Sequence, residues 1–295
     1  MKIVTIMPVR NEAWCLGLTA RAALMWCDEL VILDHASTDR TAEIASEIAE
    51  ESGRVLVSHM PGGWNEMAHR QCLLNDARGL GATHIAIIDA DEIVTGNLLP
   101  RIRSEFEATP SGSCVELRWI QLLGGIETSI SEGIWASQFA TAGFPDRPEF
   151  HWSAASDGYQ HHHRYPDGLP YRARRLSGIL GLMHLQMLNE RRLRAKQLLY
   201  CLNDKLRWPG RRTPEQTRLY YSWAVYGWQP PQALHGVNTI KQPTAPVPAE
   251  WWEPYRELLP HLKPDTEPWQ LAECRRIVRE NRGIMEGLDD FGVEL

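Results

Sequence analysis

At 295 residues, 43% hydrophobic and 23% charged, the chain has the makeup of a folded protein with apolar material for one substantial core or two modest ones, which excludes a disordered chain. A formal net charge of -6 excludes a surface coated throughout in positive charge for nonspecific nucleic-acid binding and leaves only local basic faces to consider. The opening run Met1 to Met7 is broken by Pro8, Arg10 and Glu12, too short for a signal peptide, and no later stretch has membrane-spanning length, so a cytoplasmic protein is expected, with peripheral work at a membrane surface still open to it.

From Lys2 to Asp91 short apolar runs alternate with amphipathic stretches, the pattern of strand-helix-strand units that build a mainly parallel sheet. Strands are predicted at Ile3 to Met7, Leu30 to Leu33, Val55 to Val57 and His84 to Ile88. Helices are predicted between them, at Glu12 to Trp26, Asp39 to Glu51 and Trp64 to Arg78, with Ser37-Thr38-Asp39 supplying an N-cap for the second. Beyond Pro100 the alternation fades into a mixed region rich in Trp, Gly and His that runs to Leu182. A basic helical segment from Leu188 to Trp228, a Pro-punctuated linker or surface wrap around Pro243 to Pro254, and a closing helix from Glu267 to Glu286 complete the chain. The six cysteines, at 15, 27, 72, 114, 201 and 274, form no Cys-x-x-Cys pair and read as free buried thiols.

In parallel sheets ligands gather beyond the carboxyl ends of the strands, which gives weight to three polar clusters. These are Pro8 to Glu12 after the first strand, Asp34 to Asp39 after the second, and Asp89-Ala90-Asp91-Glu92 after the fourth. The last carries the clearest chemistry. Two carboxylates on a turn at a strand end can hold a hard divalent cation against a diphosphate, and the alternative is that they merely cap a following helix.

Taken together, Pro8-Val9-Arg10-Asn11-Glu12, Asp34-x-x-Ser37-Thr38-Asp39 and Asp89-x-Asp91 make residues 1 to 100 resemble the family 2 glycosyltransferases. The resemblance implies an α/β fold of the Rossmann-like GT-A type, a mainly parallel sheet flanked by helices, and a nucleotide-diphospho-sugar donor; the identity of the base does not carry over, a UDP-sugar being the favoured donor. It implies donor-binding roles for Pro8, Arg10 and Glu12 beside the nucleoside, Asp34 at the base, Asp89 at ribose or metal, and Asp91 as direct ligand of Mn2+ or Mg2+, with Arg70 either within reach of the phosphates or on a solvated helix face. His184, after the apolar run Ile179 to Met183, is similar in setting to a late third metal ligand; a satisfied core histidine is the competing reading. One departure stands out: the family's usual form is Asp-Gly-Ser, whereas His35 and Ala36 lie here between Asp34 and Ser37, which questions a glycine-dependent turn.

An inverting transferase needs a base for the acceptor's proton, and Asp157 is the candidate, followed by Glu149 and Asp167; a retaining enzyme needs none. His161-His162-His163 cannot converge on one metal from adjacent positions and reads as a polar loop. Residues 1–187 are expected to form the donor-binding catalytic domain and 188–295 a mostly helical extension on the acceptor side. Between Arg172 and Arg218 basic residues outnumber acids, with aromatic residues interleaved, and three acceptors fit in this order: a lipid-linked or lipopolysaccharide glycan, a soluble saccharide, or modified bases in DNA. A catalytically silent sugar-nucleotide-binding scaffold is the rival of another class.

Overall fold

The computed structural model describes residues 1–63, 65–153, 164–170, 172–176, 180–226, 243–288 and 290–295. In chain order the strands are β1 (Ile3–Val9), β2 (Glu29–Asp34), β3 (Val55–His59), β4 (His84–Ile87), β5 (Glu92–Val94), β6 (Cys114–Gln121), β7 (Thr128–Ile130), β8 (Phe139–Pro145), β9 (Ala173–Arg175), β10 (Gly181–His184) and β11 (Thr244–Pro246). The helices are α1 (Leu16–Leu24), α2 (Thr41–Ser52), α3 (Glu66–Gly79), α4 (Leu99–Glu107), α5 (Glu190–Arg207), α6 (Pro214–Tyr226) and α7 (Trp269–Glu280).

Contacts divide the chain into two interleaved units: Met1–Ile120, Gln138–His184 and Pro248–Pro264 in one, Gln121–Ser137, Leu185–Val247 and Asp265–Leu295 in the other. The first is a three-layer α/β unit. Its sheet runs β3-β2-β1-β4-β8-β6-β10-β5, with β9 beside β6. The half made of β3, β2, β1 and β4 is parallel, as the alternating pattern predicts, whereas β4 to β8, β8 to β6 and β5 to β10 pair antiparallel, so the sheet is mixed.

Strand β1 is buried on both faces, which is why its apolar run is nearly unbroken rather than alternating. Ile3, Met7 and Val9 join one core with Leu16, Ala20 and Ala23 of α1, while Val4 and Ile6 join a second with Met67, Leu73 and Leu74 of α3. Helix α1 begins four residues later than predicted, because residues 12 to 15 form a turn in which the Leu16 N–H donates to the Glu12 carbonyl at 2.9 Å. The cap of α2 also differs from the sequence reading. Its N-cap residue is Arg40, and the Asp39 carboxylate instead accepts from the Thr41 N–H at 2.9 Å.

The Pro-punctuated stretch is more embedded than a linker or wrap. Trp251 and Tyr255 are buried, and the Tyr255 hydroxyl donates to the Val94 carbonyl at 2.9 Å. Gly181 opens β10 where a Cβ would stand 2.5 Å from Ile120 Cδ1 and 2.7 Å from the Arg118 carbonyl, so only glycine lets β10 lie this close to β6.

In the second unit α5, α6 and α7 enclose a core that includes Leu198, Leu202, Tyr221, Cys274 and Ile277, and β7 pairs with β11. Fully buried Arg192 is neutralised by Asp265 at 2.7 Å. No disulfide joins any of the six cysteines, all of which are among the described residues, and burial pushes the Cys27 and Cys114 thiols up to about 11 and Cys274 to about 12, which makes these three unreactive packing groups. Among the described residues no helix is long and apolar enough to cross a membrane.

Candidate active site

The three polar clusters meet along one rim of the first unit because β1, β2 and β4 are adjacent and parallel. Asn11 ties the first two together. Its backbone sits at φ 54°, a conformation asparagine tolerates better than most residues, and its side-chain carbonyl accepts from the N–H groups of Thr38 at 2.7 Å and Asp39 at 3.3 Å. Its own N–H donates to Ser37 Oγ at 2.9 Å, and the Glu12 N–H donates to Thr41 Oγ1 at 2.8 Å. Ala36 takes up the left-handed turn that the family form gives to glycine, at φ 50°. The turn is therefore kept without the glycine.

Pro8 lies in β1 opposite Leu33, and Glu12 accepts from the Trp14 indole at 2.6 Å. Asp34, buried at the end of β2, faces the Ser37 N–H at 3.3 Å and His59 at 3.4 Å. Arg10 Nη1 donates to His35 Nδ1 at 3.4 Å; since arginine has only donors, His35 Nε2 carries the proton and donates to the Gly62 carbonyl at 3.0 Å. The His35 ring lies 4.3 Å from that of His69 on α3. Burial, then His35, Arg10 and Arg70, bring His69 down to about 4, and burial lowers His35 too, so this buried pair stays neutral at ordinary pH.

The Asp89 to Glu92 turn is held from both sides. The Thr19 hydroxyl on α1 donates to the Ala90 carbonyl at 2.7 Å, and the Asp89 N–H donates to Glu92 Oε2 at 2.9 Å. His184 comes to it through the β5–β10 ladder, where it is registered with Glu92, and its Nε2 stands 3.3 Å from Asp91 Oδ2. Trp119 of β6 stacks on the His184 ring at 4.6 Å and 17° and fixes its plane. Asp89 takes different partners: Arg164 Nη2 donates to Oδ2 at 2.6 Å, and Arg70 Nη2 lies 3.8 Å from Oδ1.

Asp91 and His184 are thus brought together, while Asp89 is engaged by arginines. Among the described residues no group of three or more His, Cys, Asp or Glu side chains gathers as a metal site. The Asp91–His184 pair could hold a divalent cation that completes its shell with phosphate oxygens and water, as ions that keep several waters do. Arg70 is buried and bonded to Glu66 at 2.8 Å, and among the described residues its Nη1 meets no hydrogen-bond acceptor, a donor beside the Asp89 turn that suits an anionic ligand.

Sequence reasoning missed Arg164 and Trp119 and gave Glu92 no role. Glu92 is fully buried; it accepts from Trp119 Nε1 at 2.8 Å and from Arg164 at 2.8 and 2.5 Å. A glutamate opening the apolar strand Glu92-Ile93-Val94 was a legible signal, since a buried carboxylate demands a counter-ion, but that counter-ion lies 72 positions away. Burial opposes the charge on Arg164, yet Asp89, Glu92 and Asp91 together outweigh it and hold the guanidinium more firmly protonated than usual.

Asp157 and His161 to His163 lie outside the described residues. Glu149 is exposed beside Arg147, and Asp167 accepts from the Ser153 N–H at 3.0 Å. Much of the basic segment is locally matched: Arg174 with Glu105 at 2.6 Å, Arg175 with Glu116 at 2.8 Å, Arg194 with Glu190 at 2.5 Å, and Arg212 with Asp204.

Residues 4–148 match the family model described as glycosyl transferase family 2. No curated protein matches the chain. Among solved structures, residues 1–349 of S. aureus TarS align at 12% identity over 77% of this chain and 70% of that one, TM-score 0.45. In the complex of that fragment with UDP the alignment is 18% identical over 40% and 36%, TM-score 0.35, so the chain there spans about a third of its counterpart. Glucosyl-3-phosphoglycerate synthase from Mycobacterium tuberculosis, solved with Mn2+, UDP and phosphoglyceric acid, aligns at 20% identity over 41% of this chain and 43% of that one, TM-score 0.29. The mannosyltransferase PcManGT from Pyrobaculum calidifontis, solved with GDP-Man and Mn2+, aligns at 15% over 76% and 72%, TM-score 0.36.

Proposed function

From the membership in glycosyl transferase family 2 that residues 4–148 give the chain, we propose a divalent-cation-dependent enzyme that moves a sugar from a nucleoside-diphospho-sugar to a hydroxyl of a glycan or lipid-linked saccharide. The observation that carries the metal part is that Asp91, on a turn pinned by Thr19 and Glu92 at the rim of the sheet, lies 3.3 Å from His184 at the end of β10. These two side chains would hold Mn2+ or Mg2+, which when bound offsets the charge gathering on the departing diphosphate.

The remaining roles fall to the chain's own residues. Asp34, with Pro8 near the end of β1 and Arg10 and Glu12 on the turn that follows it, orients the nucleoside, a UDP donor being the first to test. Arg70, already paired with Glu66, would turn the N–H that meets no acceptor among the described residues toward a phosphate oxygen. Asp157 is the candidate base for the acceptor hydroxyl. The acceptor proposal leans toward a saccharide because arginines already matched to local carboxylates offer little charge to a nucleic-acid backbone.

A thermal-shift panel of UDP- and GDP-sugars, each with and without Mn2+ or Mg2+, tests the reading, since a ligand that binds only the folded state raises its melting temperature. One nucleotide series should stabilise the protein only when the cation is present. A shift that is the same with a chelator as with the metal would remove cation dependence.

A further inference from the structure

The two carboxylates of the metal motif have unlike surroundings. Asp91 faces a histidine, whereas Asp89 lies between two arginines, Arg164 on Oδ2 and Arg70 near Oδ1. Arg164 is held by Glu92 as well as by Asp89. It makes two bonds to Glu92, which is fully buried and also accepts from Trp119 and from the Asp89 N–H, and its guanidinium lies 5.4 Å from the centre of the Trp119 ring. Its contact with Asp89 is a single arm, on the more exposed of the two partners.

We propose that Arg164 is a positioning residue that stands in as the resident counter-cation of the Asp89 carboxylate, so that a divalent cation binds the turn weakly until a nucleoside diphosphate arrives. This rests on the metal and donor roles proposed above. A guanidinium bonded to Asp89 repels an incoming dication and occupies one of its oxygens. The diphosphate brings negative charge of its own and accepts from the N–H that Asp89 gives up, while Glu92 keeps Arg164 in place throughout. Metal and donor then bind with positive coupling, and by linkage each strengthens the other by the same factor.

The test is Mn2+ binding to the full chain, followed by the electron paramagnetic resonance signal of free Mn2+, without nucleotide and with saturating UDP or GDP. Wild type should bind Mn2+ at least about tenfold more tightly with one of the nucleotides. The paired variant Glu92→Gln with Arg164→Met removes both buried charges and should bind Mn2+ about tenfold more tightly than wild type without nucleotide, with little further gain when it is added. Should that variant not fold, Arg164→Lys decides. It keeps the charge that Glu92 needs, but one ammonium cannot span both carboxylates as the guanidinium does, so an intermediate rise is expected. General damage to the site would weaken Mn2+ binding, so a rise is specific to the proposed role. A folded variant that binds Mn2+ no more tightly than wild type overturns it. Absence of Mn2+ binding by wild type with either nucleotide would instead bring down the metal reading beneath it, an outcome visible before any variant is made.

Discussion

His184 is registered with Glu92 across the β5–β10 ladder, yet its ring reaches Asp91, 3.3 Å from Nε2 to Oδ2. Backbone pairing therefore sets the separation between Asp91 and a residue 93 positions later in the sequence. Precision of this kind comes from strands rather than loops, and it gives four expectations.

Asp91→Ala should lower manganese-dependent donor hydrolysis by at least about 100-fold, the order expected when a key electrostatic contact to the leaving group is lost. The circular dichroism spectrum should stay that of wild type. Unchanged turnover in the folded variant would rule out the role assigned to Asp91.

Gly181→Ala forces a methyl against Ile120 and the Arg118 carbonyl, and only the first can give way. A loss of about 1–3 kcal/mol is expected from urea unfolding, the usual cost of overpacking. An unfolding midpoint equal to that of wild type would mean that β10 can shift freely from β6.

Ala36→Gly should stabilise the protein by roughly 1 kcal/mol, since alanine bears the steric penalty of a left-handed conformation that glycine avoids. Urea unfolding measures this as well, and a loss of stability would show that the strain at Ala36 is smaller than the extra freedom glycine brings to the unfolded chain.

The buried His69 gives stability a sign with pH. Its folded value, about 4, lies below the unfolded value near 6.5, so only the unfolded chain takes up a proton between them. Its contribution is complete above about pH 6.5 and is lost as pH falls toward 4, by an amount on the order of 2 kcal/mol. His69→Gln should remove that slope, and equal slopes for the two proteins from pH 7 to pH 4.5 would place the titration elsewhere.

The parallel half of the sheet was legible because strands buried on both faces leave apolar runs and their helices leave a different period. The antiparallel half was not: β8 and β10 carry near-continuous burial too, but no helical period separates them, and their pairing spans a long stretch of chain. Asp89, Asp91 and His184 could be picked out because each follows an apolar run, and Asp91 and His184 are neighbours in space. Arg164 follows none. Its importance comes from its pairing with Glu92, 72 positions away, which no local pattern connects to it, and Trp119 likewise acquires its place only when β6 and β10 come side by side.

The Asn11 amide that clasps Thr38 and Asp39 bears on any attempt to exchange either loop for that of a related protein. Transplanting residues 34–39 from another enzyme would leave that amide facing foreign backbone, and exchanging residues 8–13 alone would strand the opposite half. The two loops form a single module, so a graft should carry residues 8–13 and 34–41 as a pair.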